Sequence, residues 1–230
     1  MHNLIYFLIS VRRMQIATNQ YYAHLAEQTA RQITESYEAW TAFLKTSAKM
    51  YKYPFHEQIM IYAQKPDATA CASVEFWNKR MHRIIRNYST SIALFDPNDG
   101  LMRYVFDVSD TYGAEDYRRY VWELKNEQVG YVETHLGEQF HIYEDHGIVT
   151  QLEQIAVTET RSYCAAHELY IRDILADLIP FGYDDTTLTS IFWNAASVST
   201  TYMVLSRCGI DPMEVLEEED FRYILYFRNP

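Results

Sequence analysis

Tyr53-Pro54-Phe55-His56-Glu57-Gln58, then Gln64-Lys65-Pro66-Asp67-Ala68-Thr69, then Phe76-Trp77, form the stretch on which the reading of this chain turns. Pro54 sits in an aromatic break. Residues 55–64 follow, with His56, Ile59, Met60, Tyr62 and Ala63 spaced for a short helix. Lys65-Pro66-Asp67 ends that helix, because proline lacks a backbone donor and pushes the preceding residue out of helical geometry. Ser73, ahead of Phe76-Trp77, is placed to cap a second short helix.

Toward the N-terminus, residues 17–50 read as one long helix or two, with Thr18 or Asn19 as cap. Leu25, Ala26, Thr29, Ile33, Tyr37, Trp40, Phe43 and Leu44 recur at three- and four-residue steps and make one apolar face. Beyond Trp77 the period changes. Residues 83–86 and 91–95 read as two strands around Asn87-Tyr88-Ser89-Thr90. Asp96-Pro97-Asn98-Asp99-Gly100 is a turn, and Met102–Val108 a third strand. The expectation is a small antiparallel meander beside helices.

After Tyr112-Gly113 the pattern is helical again, over 114–126, over 149–179 as one helix or two, and over roughly 186–207 behind Asp184 or Asp185. Residues 129–147 are ambiguous. Gly209 and Pro212 stop the helix before one or two short helices within 212–226. The fold class expected is α+β and predominantly helical. A small antiparallel β-meander packs with helices over 14–110, and an all-helical half follows over 111–230. The two parts are free to share one core.

The chain has 230 residues, 48% of them hydrophobic, with 7 Gly and 6 Pro, which is enough to bury a core and argues against disorder. Cys71, Cys164 and Cys208 are an odd set without a CxxC pair, so they read as buried thiols in a reducing cytoplasm. No stretch approaches the roughly 18 apolar residues of a membrane span. Leu4–Ile9 is apolar but short, and Arg12 and Arg13 follow it, the reverse of a signal peptide. Met14 is a candidate start as well as Met1. The net charge of −11 is uneven: residues 1–100 carry 11 Lys and Arg against 8 Asp and Glu, whereas residues 101–230 carry 9 against 23. A phosphate backbone is drawn to the first part and repelled by the second.

Residues 53–94 resemble the N-terminal, single-stranded-DNA-binding domain of ArdC-type antirestriction proteins, which also occurs in large helicase and methylase proteins of bacterial mobile elements. The aromatic-Pro-aromatic-His opening, the Gln-x-Pro-x-Ala turn and the Phe/Trp helix carry the resemblance. It covers residues 15–110 well and continues more loosely to the end. In the family a basic hairpin rich in lysine and glycine follows. Here the basic side chains are kept as Lys79, Arg80, Arg83 and Arg86, while Asn87 and Ser91 stand where glycines are usual. Asn87 tolerates the left-handed conformation that such a turn needs.

Cations that track a backbone beside aromatics that stack bases are the usual single-strand binding design. The candidate nucleic-acid-binding residues are therefore Trp77, Lys79, Arg80, Arg83, Arg86 and Tyr88. A core Trp with a solvated basic hairpin is the competing reading. ArdC-type proteins often carry a zincin domain after this one. His167-Glu168 lacks the second histidine that His-Glu-x-x-His requires, since positions 171 and 172 are Ile and Arg. His135, His141, Glu144, Asp145 and His146 match no ligand spacing, and Cys164 near His167 reads as structural. No phosphate loop, dinucleotide fingerprint or nucleophile elbow occurs. Neither catalytic residue, metal nor cofactor is expected.

Glu214, Glu217, Glu218, Glu219 and Asp220 form an acidic run, either a solvated helical face or a DNA-like surface. The expected function is a non-enzymatic anti-defence protein of mobile-element origin, of antirestriction or anti-CRISPR type, with single-stranded DNA as partner. Two alternatives stand beside it. One is an inhibitor whose acidic half blocks the groove of a basic defence nuclease. The other is an inert accessory domain truncated from a mobile-element helicase.

Overall fold

The computed structural model describes residues 20–95, 102–113, 124–142, 147–178 and 184–227. The chain divides into two compact units, His2–Ile33 with Thr46–Val121 and Thr34–Lys45 with Trp122–Pro230. The protein is α+β and predominantly helical, and the described strands all fall in the first of these units.

The expected helical stretch over 17–50 is two helices, α1 (Gln20–Ile33) and α2 (Tyr37–Lys49). Ser36 sits at the break, where its hydroxyl accepts the Ala39 N–H at 3.2 Å and starts the second helix. Helix α3 (Phe55–Gln64) begins directly after Pro54, and α4 (Val74–Lys79) is capped by Ser73, whose hydroxyl accepts the Phe76 N–H.

Two glutamines from the stretch quoted first, Gln58 buried and Gln64 half-buried, are fasteners. Gln58 donates its amide to the Met50 and Tyr53 carbonyls at 3.1 and 2.9 Å, fastening the turn that follows α2. Gln64 accepts the Ala93 N–H at 2.9 Å and donates to the Ala93 carbonyl at 2.8 Å. Its amide thus stands in for a neighbouring strand at that residue.

The strands are β1 (Cys71–Ala72), β2 (Arg83–Ile85), β3 (Ile92–Phe95), β4 (Met102–Asp107) and β5 (Thr111–Gly113). They form an antiparallel sheet of order β1-β4-β3 and a separate ribbon of β2 with β5. Strand β3 is buried along its whole length, as its Ile-Ala-Leu-Phe sequence requires.

The three expected strands exist, but β2 and β3 do not pair as a hairpin. Arg83 gives the reason. It is 2% exposed, and its guanidinium needs buried acceptors. Thr111 supplies them, through its hydroxyl to Nε at 2.6 Å and its carbonyl to Nη2 at 3.1 Å. That brings residues 111–113 alongside β2. Gly113 fits because a Cβ there would lie 2.9 Å from the His82 carbonyl oxygen.

A buried carboxylate closes the sheet. Asp107, 1% exposed, accepts N–H groups from Thr69, Ala70 and Ser109 at 2.6, 2.8 and 2.9 Å. Burial opposes its ionisation, but the three backbone donors outweigh that and hold its pKa below the ordinary value. Glu57, also buried, pairs with Arg103, whose guanidinium lies 5.6 Å from the Tyr53 ring centre. The Tyr53 hydroxyl donates to the Cys71 carbonyl at 2.7 Å.

The second unit holds α5 (Val129–Phe140), α6 (Gly147–Ala166), α7 (Glu168–Leu178), α8 (Asp185–Cys208) and two 3₁₀ segments, Pro212–Glu214 and Glu218–Phe227. Asp184 caps α8 by accepting the Thr187 N–H at 2.7 Å, and Gly209 ends it at φ 77°. Thr34–Lys45 fall in this unit. Their side chains show why. The Trp40 indole N–H donates to the Ser199 hydroxyl at 3.0 Å, and Tyr37 meets the Phe221 ring edge-on at 5.1 Å. The ambiguous segment 129–147 is largely helix α5. The turn expected at 96–100 lies outside the described residues, as does nearly all of the helix expected over 114–126. Among the described residues no helix is long and apolar enough to cross a membrane.

The depressed pKa of Asp107 makes its contribution to stability pH-dependent. That contribution is present above the ordinary carboxylate value of about 4 and is lost as pH falls through the depressed one. Asp107→Asn is expected to lower the unfolding free energy by about 2 kcal/mol at neutral pH. The difference from wild type should shrink below pH of about 3. Urea unfolding of both proteins at the two pH values measures it, and an equal deficit at both would contradict the assignment.

Candidate nucleic-acid interface

The turn that follows β2 is fixed by one carbonyl. Arg86 N–H donates to the Asp110 carbonyl at 2.8 Å, carrying the β2–β5 ladder one residue further. The Ser89 hydroxyl reaches the same oxygen at 3.3 Å. Between these two anchors the chain turns through Asn87 and Tyr88. Left-handed geometry falls on Tyr88, at φ 68°, and not on Asn87 as the sequence suggested. A bulky side chain seldom adopts this conformation. The ring of Tyr88 gains no compensating burial, since its relative exposure is 103%. Strain that holds an aromatic ring in water is the kind of local sacrifice found at functional sites.

This turn lines an open cleft of about 830 Å³. Tyr21, Tyr22 and Leu25 of α1 form one wall. The end of α3 with Lys65-Pro66-Asp67 forms another, and residues 86–92 with Asp110 complete it. Tyr21 and Tyr22 meet edge to face with ring centres 5.1 Å apart. Lys65 Nζ lies 3.0 Å from both Asp110 carboxylate oxygens. Burial works against the charged amine, but Asp110, and then Asp107 and Asp67, raise its pKa above the ordinary value. Lys65 therefore stays charged and is already neutralised by Asp110. Among the described lining residues Arg86 is the remaining cation. The lining is thus aromatic and hydrogen-bonding, with a single positive charge at its margin that is not engaged by the Asp110 carboxylate. Such a surface suits planar, polar rings better than a bare phosphate.

The six residues expected to bind nucleic acid separate into three groups. Trp77 is 1% exposed and donates its indole N–H to the Phe106 carbonyl at 2.8 Å, so it has no face for a base. Arg83 is equally inaccessible, because its guanidinium is spent on Thr111. Both leave the candidate set, for the same reason: a buried polar group must be satisfied inside the fold. Lys79 and Arg80 are exposed at the end of α4, where Lys79 pairs with Glu75 across one helical turn at 2.7 Å. Arg86 and Tyr88 are the pair that the structure brings to the cleft. Tyr21, Tyr22 and Lys65 join them. The Tyr21-Tyr22 doublet at the head of an amphipathic helix was the available sequence signal for the first two.

In the second unit Glu214, Glu217, Glu218 and Glu219 are exposed, and Glu219 pairs with Arg222 at 3.1 Å. Asp220 is half-buried, and its carboxylate accepts the Glu217 N–H at 2.8 Å, so part of its role is to cap the 3₁₀ segment. Burial lifts the Cys164 thiol to about 11, which keeps it protonated near neutral pH. His167 stacks on Tyr163 with Nδ1 at 2.9 Å from the Tyr163 carbonyl, and His135 makes the equivalent contact with Tyr131. Glu144, Asp145 and His146 lie outside the described residues. Among those described, no three His, Cys, Asp or Glu side chains gather where they could hold a metal ion. No family model, curated protein or solved structure matches this chain.

The left-handed turn yields a test that reads the fold alone. At an ordinary position Gly is less stable than Ala by about 0.5–1 kcal/mol. At position 88 a Cβ costs about 1–2 kcal/mol, so the order should reverse. Thermal melts of Tyr88→Gly and Tyr88→Ala are expected to place the glycine variant higher. An alanine variant as stable as the glycine one would show that position 88 carries no strain.

Proposed function

We propose that this chain is a non-enzymatic anti-defence protein that holds single-stranded DNA at the cleft of its first unit. The observation that carries this reading is Tyr88, fully exposed in a strained turn beside Arg86 at the mouth of an aromatic cleft. Every base has a π-face, and stacking on tyrosine is worth about 1–3 kcal/mol per base without regard to sequence. Bases of a duplex are already stacked on one another, so such a platform selects strands whose bases are free to swing out. Bases enter the cleft, where Lys65 is neutralised, and the phosphates run past Arg86 and the exposed Lys79 and Arg80. The resemblance of residues 53–94 to the ArdC-type domain supports the same reading. A strand covered in this way is withheld from a defence nuclease without any chemistry being performed on it.

Fluorescence anisotropy with a labelled single strand of about 15 nucleotides, at roughly 50 and 200 mM salt, tests the reading. Arg86→Ala is expected to weaken binding and to flatten the slope of log affinity against log salt by about 0.7 for each phosphate that is no longer neutralised. Tyr88→Ala should weaken binding at both salt concentrations with little change of slope, because stacking releases no counterions. Undiminished binding by the double variant would place the strand elsewhere, and a wild type that binds no strand at low salt would overturn the proposal.

A second reading has its own observation, the exposure of Glu214, Glu217, Glu218 and Glu219 in a region of strong net negative charge. On this reading the run occupies the basic groove of a defence nuclease, and its charge accelerates the encounter. Changing the four glutamates to glutamine is expected to reduce inhibition of such a nuclease and the sensitivity of inhibition to salt. Inhibition unchanged in both respects returns the run to a solvated face.

A further inference from the structure

We infer that the bound strand continues from the cleft across the outward face of the β2–β5 ribbon, where Tyr112 is a second stacking platform. The inference rests on the single-strand reading and extends its site. In the ribbon Arg83 pairs with Gly113, Ile84 with Tyr112 and Ile85 with Thr111. Alternate side chains of a strand point to opposite faces. Arg83 and Thr111 point inward and are 2% and 1% exposed. Ile84 and Tyr112 therefore point outward, directly opposite each other, and are 55% and 48% exposed. A single exposed apolar side chain needs no explanation. A cross-strand pair that forms a small apolar platform in water is a different matter.

The ladder makes this platform continuous with the cleft. Arg86 lies two residues beyond Ile84, just past the end of β2, and its N–H donates to the Asp110 carbonyl; strand alternation carried one step further turns its side chain to the same outward face. It is also a lining residue of the cleft. A strand whose phosphate is held by Arg86 thus has the Tyr88 ring and the cleft on one side of that point and Ile84 with Tyr112 on the other. The charges suit a polyanion. Arg80 and Arg86 are exposed, and among the described residues no acidic side chain forms an ion pair with either. Asp110, opposite Arg86 in the ladder, has its carboxylate engaged by Lys65. A peptide added as an extra strand fits less well, because three residues per strand offer only about 10 Å of edge.

The test compares labelled oligothymidylates of about 4 and about 16 nucleotides by anisotropy. The short strand fills the cleft, and only the long one reaches the ribbon. Tyr112→Ala is expected to weaken binding of the long strand at least about fivefold and to leave the short one within about twofold of wild type. Tyr112→Phe, which keeps the ring, should restore the long strand. Equal affinity of Tyr112→Ala and wild type for the long strand overturns the inference, and so does an equal loss on both strands. Photocrosslinking of wild type to 5-iodouracil strands gives a readout independent of the variant's folding. A Tyr112 adduct is expected with the long strand only, and its absence overturns the inference. If neither strand binds wild type, the single-strand reading falls and takes this inference with it. If Tyr88→Ala weakens the long strand while Tyr112→Ala does not, the cleft reading survives alone. In that case a protein seen to protect Tyr112 of the full chain would mark the face as a polypeptide surface.

Discussion

A carboxylate can be buried only if donors surround it, and Asp107 meets that condition with three backbone N–H groups from two different segments. The arrangement ties the loop after Pro66 to the end of β4. It places β1 alongside β4, and it starts the 3₁₀ turn Val108–Asp110 that aims the chain into β5. Without it the Thr69 and Ala70 donors and the Asp107 charge would all be stranded in the interior. The geometry of the first unit is specified by this satisfaction of buried polar groups as much as by its apolar core. Gln58, Gln64 and Arg83 repeat the device: each side chain binds backbone atoms of a segment distant from its own helix turn or strand.

The same chain of constraints delivers the cleft. Asp107 sets up the turn that presents Asp110. The Asp110 carbonyl then pins Arg86 and Ser89, while its carboxylate neutralises Lys65. Tyr88 is held out between these fixed points. Its exposure is therefore a consequence of hydrogen bonds on both sides of it and not of a slack loop. On the single-strand reading proposed above, fixing the turn before a ligand arrives reduces the ordering that binding would otherwise require. The local conflict at Tyr88 agrees with the general pattern that proteins break local rules where they act.

The second unit follows a simpler logic. Its helices begin and end on standard signals, Asp184 and Gly209 for α8, and they pack through aromatic and aliphatic faces. Most carboxylates of its 214–220 run lie on the outside. Glu214 to Glu219 stand in water, and the one member of that run that turns partly inward, Asp220, does so to cap a backbone N–H.

Much of this architecture follows from sequence because it rests on local rules. Proline after an aromatic, serine at a helix start, glycine at a helix end and β-rich runs bounded by turns each act within a few residues. Helix α3, the caps at Ser73, Asp184 and Gly209, and the strands over 83–85, 92–95 and 102–107 could be read from them. Within residues 53–77, Tyr53, Gln58, Gln64 and Trp77 all build the fold by binding backbone atoms. What sequence could not supply was partnership over distance. Nothing near Arg83 announces that Thr111 will satisfy it, yet that bond decides that β2 pairs with β5 and not with β3. Trp77 and Arg83 look like ligand-binding groups in a basic, aromatic run, and only burial removes them from it. Tyr21 and Tyr22 lie more than forty residues before the Lys65 turn and join it in one cleft only once α1 has folded against α3. Side-chain type is written in the sequence. Whether a given arginine or tryptophan meets solvent or a carbonyl is decided by tertiary packing, because the cost of an unsatisfied buried polar group is settled by whichever segment the fold brings beside it.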